Sequence, residues 1–334
     1  MPIMKKTKAL VVTGVGEVEL RDLPVPELGS GEVRIRALFS LLSIGTEMSI
    51  ATGHRMENAK FPYVPGYQGV GRVEEVAEGV KSVSIGDIVI YLGGRTEAPV
   101  NGVWGAHQGV IVCGTDGLIH VPKGLTPEQG ALAPLFAVGL NGVNLAQVNP
   151  SDVVVVLGHG LIGAGAAQAA RARGATVVVS EPDASRRKLA RQHAAHVVVD
   201  PTKESLADAV KTVLPPGARG ADVVIESSGH APLIETGIEL CRFGARFVLQ
   251  GWYSGDISFS YMAAHRRQIS MHFPTGWGPA GTKEAALRLA DEGVFQTLPY
   301  LSHRVGISGA VEAYRMAMGP GRNSILGLLF DWNS

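Results

Sequence analysis

Apolar residues follow two different rhythms along this chain. Up to about residue 126 they come in short runs, and 8–12, 17–21, 32–39, 69–76, 86–91 and 109–112 each read as a strand. Turn-forming stretches divide them, among them GSGEV, VPGYQGVG, SIGD and CGTDG. Short strands with frequent turns and no helix between them predict an antiparallel, partly closed barrel. At Thr126 the rhythm changes. Thr126-Pro127-Glu128-Gln129 is a helix start, with Thr as N-cap, Pro at the first helical position and Gln at the third. A small-residue helix over 130–147 follows. Apolar runs at 153–157, 176–180, 197–200, 221–226, 245–250 and 268–273 then alternate with helical patterns at 164–173, 185–193, 203–213 and 232–241. That alternation predicts a doubly wound parallel sheet. Helices are expected at 283–291 and 307–318. The run 325–330 is a strand with no helix after it, expected to rejoin the first barrel. The fold class is α/β, divided as 1–126, 127–275 and 276–334.

The second region is organised around Asp152–Glu181, DVVVVLGHGLIGAGAAQAARARGATVVVSE. An unbroken apolar run, as in a strand buried on both faces, leads into Gly158-His159-Gly160-Leu161-Ile162-Gly163 and then an Ala-rich helix. This is a G-x-G-x-x-G turn in its proper setting. Gly158 permits the tight turn, Gly160 lets a pyrophosphate approach the backbone, and Gly163 lets helix and strand pack closely. The helix N-terminus offers N–H groups and partial positive charge to phosphate. Glu181 lies 18 residues beyond Gly163, where a carboxylate can accept from the adenosine ribose hydroxyls. A carboxylate there repels a 2′-phosphate and favours NAD. Arg186 and Arg187, with Ser180, can instead hold that phosphate, so NADP stays open.

Bulk properties narrow the class. A chain of 334 residues predicts two domains, and 46% hydrophobic with 18% charged residues describes a soluble globular protein. Thirty basic and 30 acidic residues leave no net charge, so nothing marks a nucleic-acid partner or an anionic membrane surface. No apolar run reaches the roughly 18 residues of a membrane span. MPIMKKTKALVV lacks the longer apolar core of a signal peptide. Cys113 and Cys241 are too few for a disulfide framework or a cysteine-rich zinc lobe, and read as small buried hydrophobes. A reducing cytoplasm is the expected compartment, with a small molecule as substrate.

VPGYQGVGRVEEVAEGVKSVSIGDIV, GVWGAHQGVIV, VPKGLTPEQGAL, GHGLIG, ADVVIESSG and RFVLQGWYSG together resemble the medium-chain dehydrogenase/reductase superfamily across essentially the whole chain. SIGTE, PGYQ and LFDW resemble the branch with the bacteriochlorophyllide hydroxyethyl dehydrogenases. The resemblance implies a GroES-like irregular β-barrel domain, a Rossmann domain, a nicotinamide in the cleft between them, and a homodimer paired through the nucleotide domain. Ser228 would edge the adenosine site and Gly251 would lie near the nicotinamide.

The departures from the family pattern matter most. The family's G-I-C-G-T-D is here Ser43-Ile44-Gly45-Thr46-Glu47, so Ile44 stands at a zinc-ligand position. The family's P-G-H-E is Pro65-Gly66-Tyr67-Gln68, and the third ligand position falls near Ala133. Catalytic zinc takes three Cys, His or carboxylate ligands. None is kept, so no metal is expected; a rearranged site would have to draw on His54, His107 or Glu47. Without a Lewis acid, a hydrogen-bond donor must manage charge on the reacting oxygen. Tyr67 stands where the His ligand would, either as that donor or as a space filler. Thr46 matches a proton-relaying hydroxyl, or it only stabilises its turn. Gln68, His107, Trp252, Tyr253 and Trp277 are candidates for the substrate pocket, with Trp104 another aromatic wall, suiting a flat or apolar substrate. The leading expectation is a zinc-independent NAD(P)-dependent dehydrogenase of a secondary alcohol or ketone. Reduction of an activated C=C bond, and a nucleotide-binding sensor or partner subunit without turnover, are the alternatives.

Overall fold

The computed structural model describes residues 6–54, 59–253 and 255–334. The signal-peptide reading of the first five residues and Ser254 of the WYSG motif lie outside them. The chain divides into two units, 1–132 with 301–334, and 133–300. Residues 276–300 fall within the second unit in this division.

In the first unit, β1 (Lys6–Gly14) and β2 (Glu17–Pro24) make an antiparallel hairpin. The main sheet is built on β3 (Glu32–Leu41), which pairs antiparallel with β4 (Gly69–Val76) and β6 (Val110–Gly114). Next to β4 lie β5 (Ile88–Tyr91) and then the two-residue β7 (Ile119–His120). A short helix, α1 (Thr46–Ala51), follows β3. Sequence reading missed it because six residues are too few to show a helical period. The helix start at Thr126 forms as expected and opens α2 (Pro127–Leu145). Thr126 N–H donates to Gln129 Oε1 at 2.9 Å, and Gln129 N–H donates to Thr126 Oγ1 at 3.3 Å, a reciprocal capping box.

The second unit carries a six-stranded parallel sheet. Its strands are β8 (Val153–Leu157), β9 (Thr176–Ser180), β10 (Val197–Val199), β11 (Ala221–Glu226), β12 (Cys241–Leu249) and β13 (Ser270–His272), in the order β10-β9-β8-β11-β12-β13. The connecting helices are α3 (Leu161–Ala172), α4 (Ala184–His193), α5 (Leu206–Lys211) and α6 (Leu233–Leu240). All of β8 is buried, which explains its unbroken valines. β12 starts four residues before its apolar run, because Cys241 still pairs with Ala221 across a register shift. A further helix, α7 (Tyr261–Arg266), buries no residue and so gave no apolar signal. α8 (Thr282–Asp291) completes this unit.

The chain then returns to the first sheet. β14 (Leu301–Gly306) lies parallel to β15 (Gly327–Asp331), with α9 (Ala310–Met318) between them. β15 joins β3 antiparallel, setting Phe330 opposite Ser40. β14 is the outermost strand, alternates polar and apolar residues weakly, and was not foreseen. The first unit's core gathers Leu10, Leu42, Tyr63, Tyr314 and Phe330. Among the described residues no helix is long and apolar enough to cross a membrane. Both cysteines are free, and burial pushes both thiols up to about 12.

Candidate functional site

In the second unit, β9 and β10 are added on one side of β8 and β11 to β13 on the other, and ligands of such sheets bind beyond the carboxyl ends at that switch point. The glycines of the loop there divide by task. Gly158 has φ of 88°, and a Cβ on it would lie 2.9 Å from Ser228 Cβ. A Cβ on Gly163 would lie 2.2 Å from the Gly158 carbonyl oxygen. Gly160 differs, since a Cβ there meets nothing within 4 Å. Two glycines serve packing, and the third leaves an open face for a group to approach the backbone. Gly160 is the N-cap of α3, so Leu161, Ile162 and Gly163 form its first turn, three residues earlier than the apolar pattern suggested. Their N–H groups precede the first intrahelical acceptor and can receive an anion.

Glu181 is 4% exposed. Its Oε2 accepts the His159 N–H at 2.7 Å and its Oε1 the Asp183 N–H at 2.9 Å, so it shapes the phosphate loop from beside it. Arg187 is turned inward to the carbonyls of Glu181 and Pro182 and pairs with Asp200 at 2.8 Å, a structural role. Arg186 is half-buried on α4, and its charge acts on His159 and Asp183. His159 was expected only as a loop position, yet it is wholly buried, with Nε2 3.0 Å from the Tyr300 hydroxyl. Burial above all, then Arg186 and His193, brings its pKa down to about 3.

On the other side of the loop, sequence reading missed Glu226. This carboxylate ends β11 and is 0% exposed. It accepts from the Ser228 N–H at 2.7 Å and the Gly229 N–H at 3.3 Å, and from the hydroxyls of Ser228 and Tyr253. A Cβ on Gly251 would lie 2.4 Å from Glu226 Oε2. Glu226 thus binds the segment after β11 to the segment after β12. The signal was visible as an acid closing the apolar run ADVVIE, the same signal read at Glu181. Gly158, Ser228, Gly251, Trp252 and Tyr253 are brought together here, with Trp252 42% exposed. The Trp277 ring lies 4.7 Å from Lys283 Nζ.

The first unit holds the remaining candidates. Thr46 opens α1 and is half-buried. Tyr67 is half-buried, and its ring meets Trp104 edge-on at 5.5 Å. Its phenol is hydrogen-bonded by the Ser43 side chain. Desolvation raises the phenol above its usual range, the Ser43 bond opposes this, and the Glu47 charge adds to it. Gln68 is 1% exposed, donates to the Ala131 carbonyl at 3.3 Å, and has an Oε1 without a hydrogen-bond partner. His107 is corrected from a pocket residue to a core residue. It is 0% exposed, and both ring nitrogens are engaged, by Ser40 and Glu47. His54 lies exposed and bonds Thr52.

A zinc donor set does not fit the three ligand positions. Ile44 packs on the apolar core and Ala133 is wholly buried. Among the described residues, no three His, Cys, Asp or Glu side chains gather to hold a metal ion.

Residues 29–123 match the family "Alcohol dehydrogenase GroES-like domain", and residues 162–292 match "Zinc-binding dehydrogenase". The chain is 26% identical over 331 residues to a sorbitol dehydrogenase of Halalkalibacterium halodurans, covering 92% of this chain and 95% of that one. It is 26% identical over 337 residues to the 2-desacetyl-2-hydroxyethyl bacteriochlorophyllide A dehydrogenase of Cereibacter sphaeroides, covering 98% and 99%. Among solved structures it resembles a zinc-binding dehydrogenase of Sinorhizobium meliloti bound to NADP, with TM-score 0.85, 21% identity and 98% and 99% coverage. It also resembles the 2R,3R-butanediol dehydrogenase of Bacillus subtilis, with TM-score 0.84, 22% identity and 97% and 99% coverage. Fold and matches define a nicotinamide-dependent oxidoreductase of the alcohol and polyol dehydrogenase type. The chain belongs to the medium-chain dehydrogenase/reductase superfamily.

Two measurements test the loop. Gly160→Ala should leave the melting temperature nearly unchanged yet weaken nicotinamide-cofactor binding at least roughly tenfold by titration calorimetry, whereas Gly163→Ala should lower the melting temperature. Equal effects of both on stability would contradict the division of tasks. His159 gives a pH signature. Its folded pKa lies below the unfolded value, so both states are neutral above about pH 6.5 and the unfolded state takes the proton first as pH falls. Urea unfolding should show wild type losing about 2 kcal/mol more than His159→Leu between pH 7 and pH 5. Parallel losses would show that His159 takes up a proton as readily folded as unfolded.

Proposed function

We propose that this chain is a zinc-independent, NAD(P)-dependent oxidoreductase that interconverts a ketone and a secondary alcohol on a flat or apolar substrate. The observation that carries the reading is the placement of Tyr67, at the family's His position and edge-on against Trp104. It stands where the family pattern has a zinc-binding His, is held by Ser43, and keeps its proton because burial and Glu47 disfavour the phenolate. A protonated phenol is a poor general base but a good hydrogen-bond donor. Tyr67 therefore serves as the hydrogen-bond donor to the substrate oxygen in both directions, with the proton that converts the alkoxide to the alcohol exchanged with solvent. Thr46, one turn position before Glu47, is placed in the reading as a second hydroxyl contact. Trp104 against Tyr67 supports an aromatic wall.

When bound, the nicotinamide supplies or accepts the hydride. The chain's own part is to hold it: the Gly158–Gly163 backbone for the pyrophosphate, Glu181 and Arg186 beside the adenosine ribose, Ser228 and Gly251 on the far side of the loop. Glu181 beside that loop supports NAD over NADP. The names of the two curated relatives, one for sorbitol and one for a hydroxyethyl-bearing bacteriochlorophyllide, agree with alcohol chemistry.

A panel of ketones, secondary alcohols and enones, followed by reduced-cofactor absorbance with NADH and NADPH, tests this. Ketones should turn over with a preference for NADH. Tyr67→Phe should lower kcat at least roughly tenfold with cofactor affinity intact, the lower range for a positioned acid. Unchanged kcat would reduce Tyr67 to a space filler, and turnover of enones alone would favour C=C reduction.

A further inference from the structure

The first unit contains a run of buried polar groups that ends at Tyr67. Trp332 Nε1–H donates to Ser40 Oγ at 2.9 Å, and Ser40 Oγ lies 2.8 Å from His107 Nδ1. His107 Nε2 lies 2.9 Å from Glu47 Oε2, and Glu47 Oε1 accepts the Ser43 N–H at 2.8 Å. The Ser43 side chain in turn bonds the Tyr67 phenol. Ser40 and His107 are 0% exposed and Glu47 is 1% exposed. The imidazole is clamped edge-on against Phe330, with centroids 4.9 Å apart.

The donors and acceptors order themselves. An ionised carboxylate only accepts, so Glu47 takes the Ser43 N–H on one oxygen and His107 Nε2–H on the other. A neutral imidazole then presents Nδ1 as an acceptor. Indole only donates, so Ser40 accepts from Trp332 and gives its own proton to Nδ1. Every group is satisfied and no proton is left over. A doubly protonated His107 would turn its Nδ1–H on Ser40, whose own proton would then need an acceptor outside the run.

Serine, histidine and carboxylate in this order also describe an acyl-transfer triad. Burial excludes that use, since no substrate reaches Ser40 and an indole N–H already occupies its oxygen. The end of the run that meets chemistry is Ser43. Its turn depends on Glu47 from both sides: Glu47 N–H donates to the Ser43 carbonyl at 3.2 Å while the carboxylate receives the Ser43 N–H. α1 has Gly45 as N-cap and no side-chain cap bond, so the Glu47 carboxylate closes this turn together with the Glu47 N–H.

We infer that Glu47 and His107 are positioning residues: the ordered run from Trp332 through Ser40, His107 and Glu47 fixes the turn 43–47, and thereby holds the Ser43 hydroxyl against the Tyr67 phenol. The inference rests on the reading of Tyr67 as the hydrogen-bond donor to substrate.

Two arms test it. In protein labelled with 15N-histidine, the His107 signals are assigned by their loss in His107→Gln. They should report a neutral ring protonated on Nε2 at neutral pH; an imidazolium or the Nδ1–H tautomer would overturn the ordering. The second arm is a double-mutant cycle with the ketone that turns over best. His107→Gln and the milder Trp332→Phe should each lower kcat roughly fivefold to tenfold, leave the KM for nicotinamide cofactor unchanged, and have no further effect in the Tyr67→Phe background. Equal losses in both backgrounds would refute positioning while leaving the role of Tyr67 intact. Full kcat in Tyr67→Phe itself would remove the role of Tyr67, and this inference with it. Trp332→Phe keeps the test open if His107→Gln does not fold.

Discussion

Carboxylates taken out of water and satisfied by hydrogen-bond donors set the geometry of both units. An unpaired buried charge is costly, and in practice such a group must be met by several hydrogen bonds. Glu181 meets this with two backbone N–H groups, Glu226 with two backbone N–H groups and two hydroxyls, and Glu47 with a backbone N–H and an imidazole. In each case at least one donor is a backbone N–H of an adjoining loop or turn. Glu181 fixes the start of the phosphate loop, Glu226 joins the segments after β11 and β12, and Glu47 closes the turn before α1. Removing any one carboxylate would release a loop and also leave its donors unsatisfied.

The fold was legible because its signals are local and redundant. The valines of β8 have no alternative to a strand buried on both faces, and the glycine turn, the small-residue helix and Glu181 follow at fixed spacing. The elements that were missed lack apolar periodicity. α1 and α7 are six residues each, and β14 is a polar outermost strand held by its pairing with β15. The site was legible by halves. Glycine positions in the phosphate loop follow from backbone geometry, which sequence encodes directly. The polar run around Glu47 does not, since Ser40, His107 and Trp332 meet only through the pairing of β3 with β15 and the crossing of the 104–109 segment. A lone His in GAHQG gives no sign that its ring is buried between Ser40 and Glu47. Glu226 carries the same sign in the sequence as Glu181, an acid closing an apolar run.

The proposed chemistry follows from the residues at the family's zinc-ligand positions. At the positions where the family pattern binds zinc, this chain has an aliphatic side chain, a phenol and an alanine. In the proposed reading the phenol is the one of the three that can donate a hydrogen bond to the substrate oxygen, and its buried surroundings disfavour the phenolate. A neutral amide at Gln68 in place of the family's Glu fits the proposed change, since without zinc there would be no metal charge to balance.

The central claim, that a protein hydroxyl stands in for the metal, is tested most directly by metal content and turnover measured on the same sample. Purified protein active on its best ketone should contain far less than one zinc per chain by mass spectrometry, and should keep its rate after exhaustive treatment with a chelator. One zinc per chain, with activity lost on chelation and restored by zinc, would contradict the account.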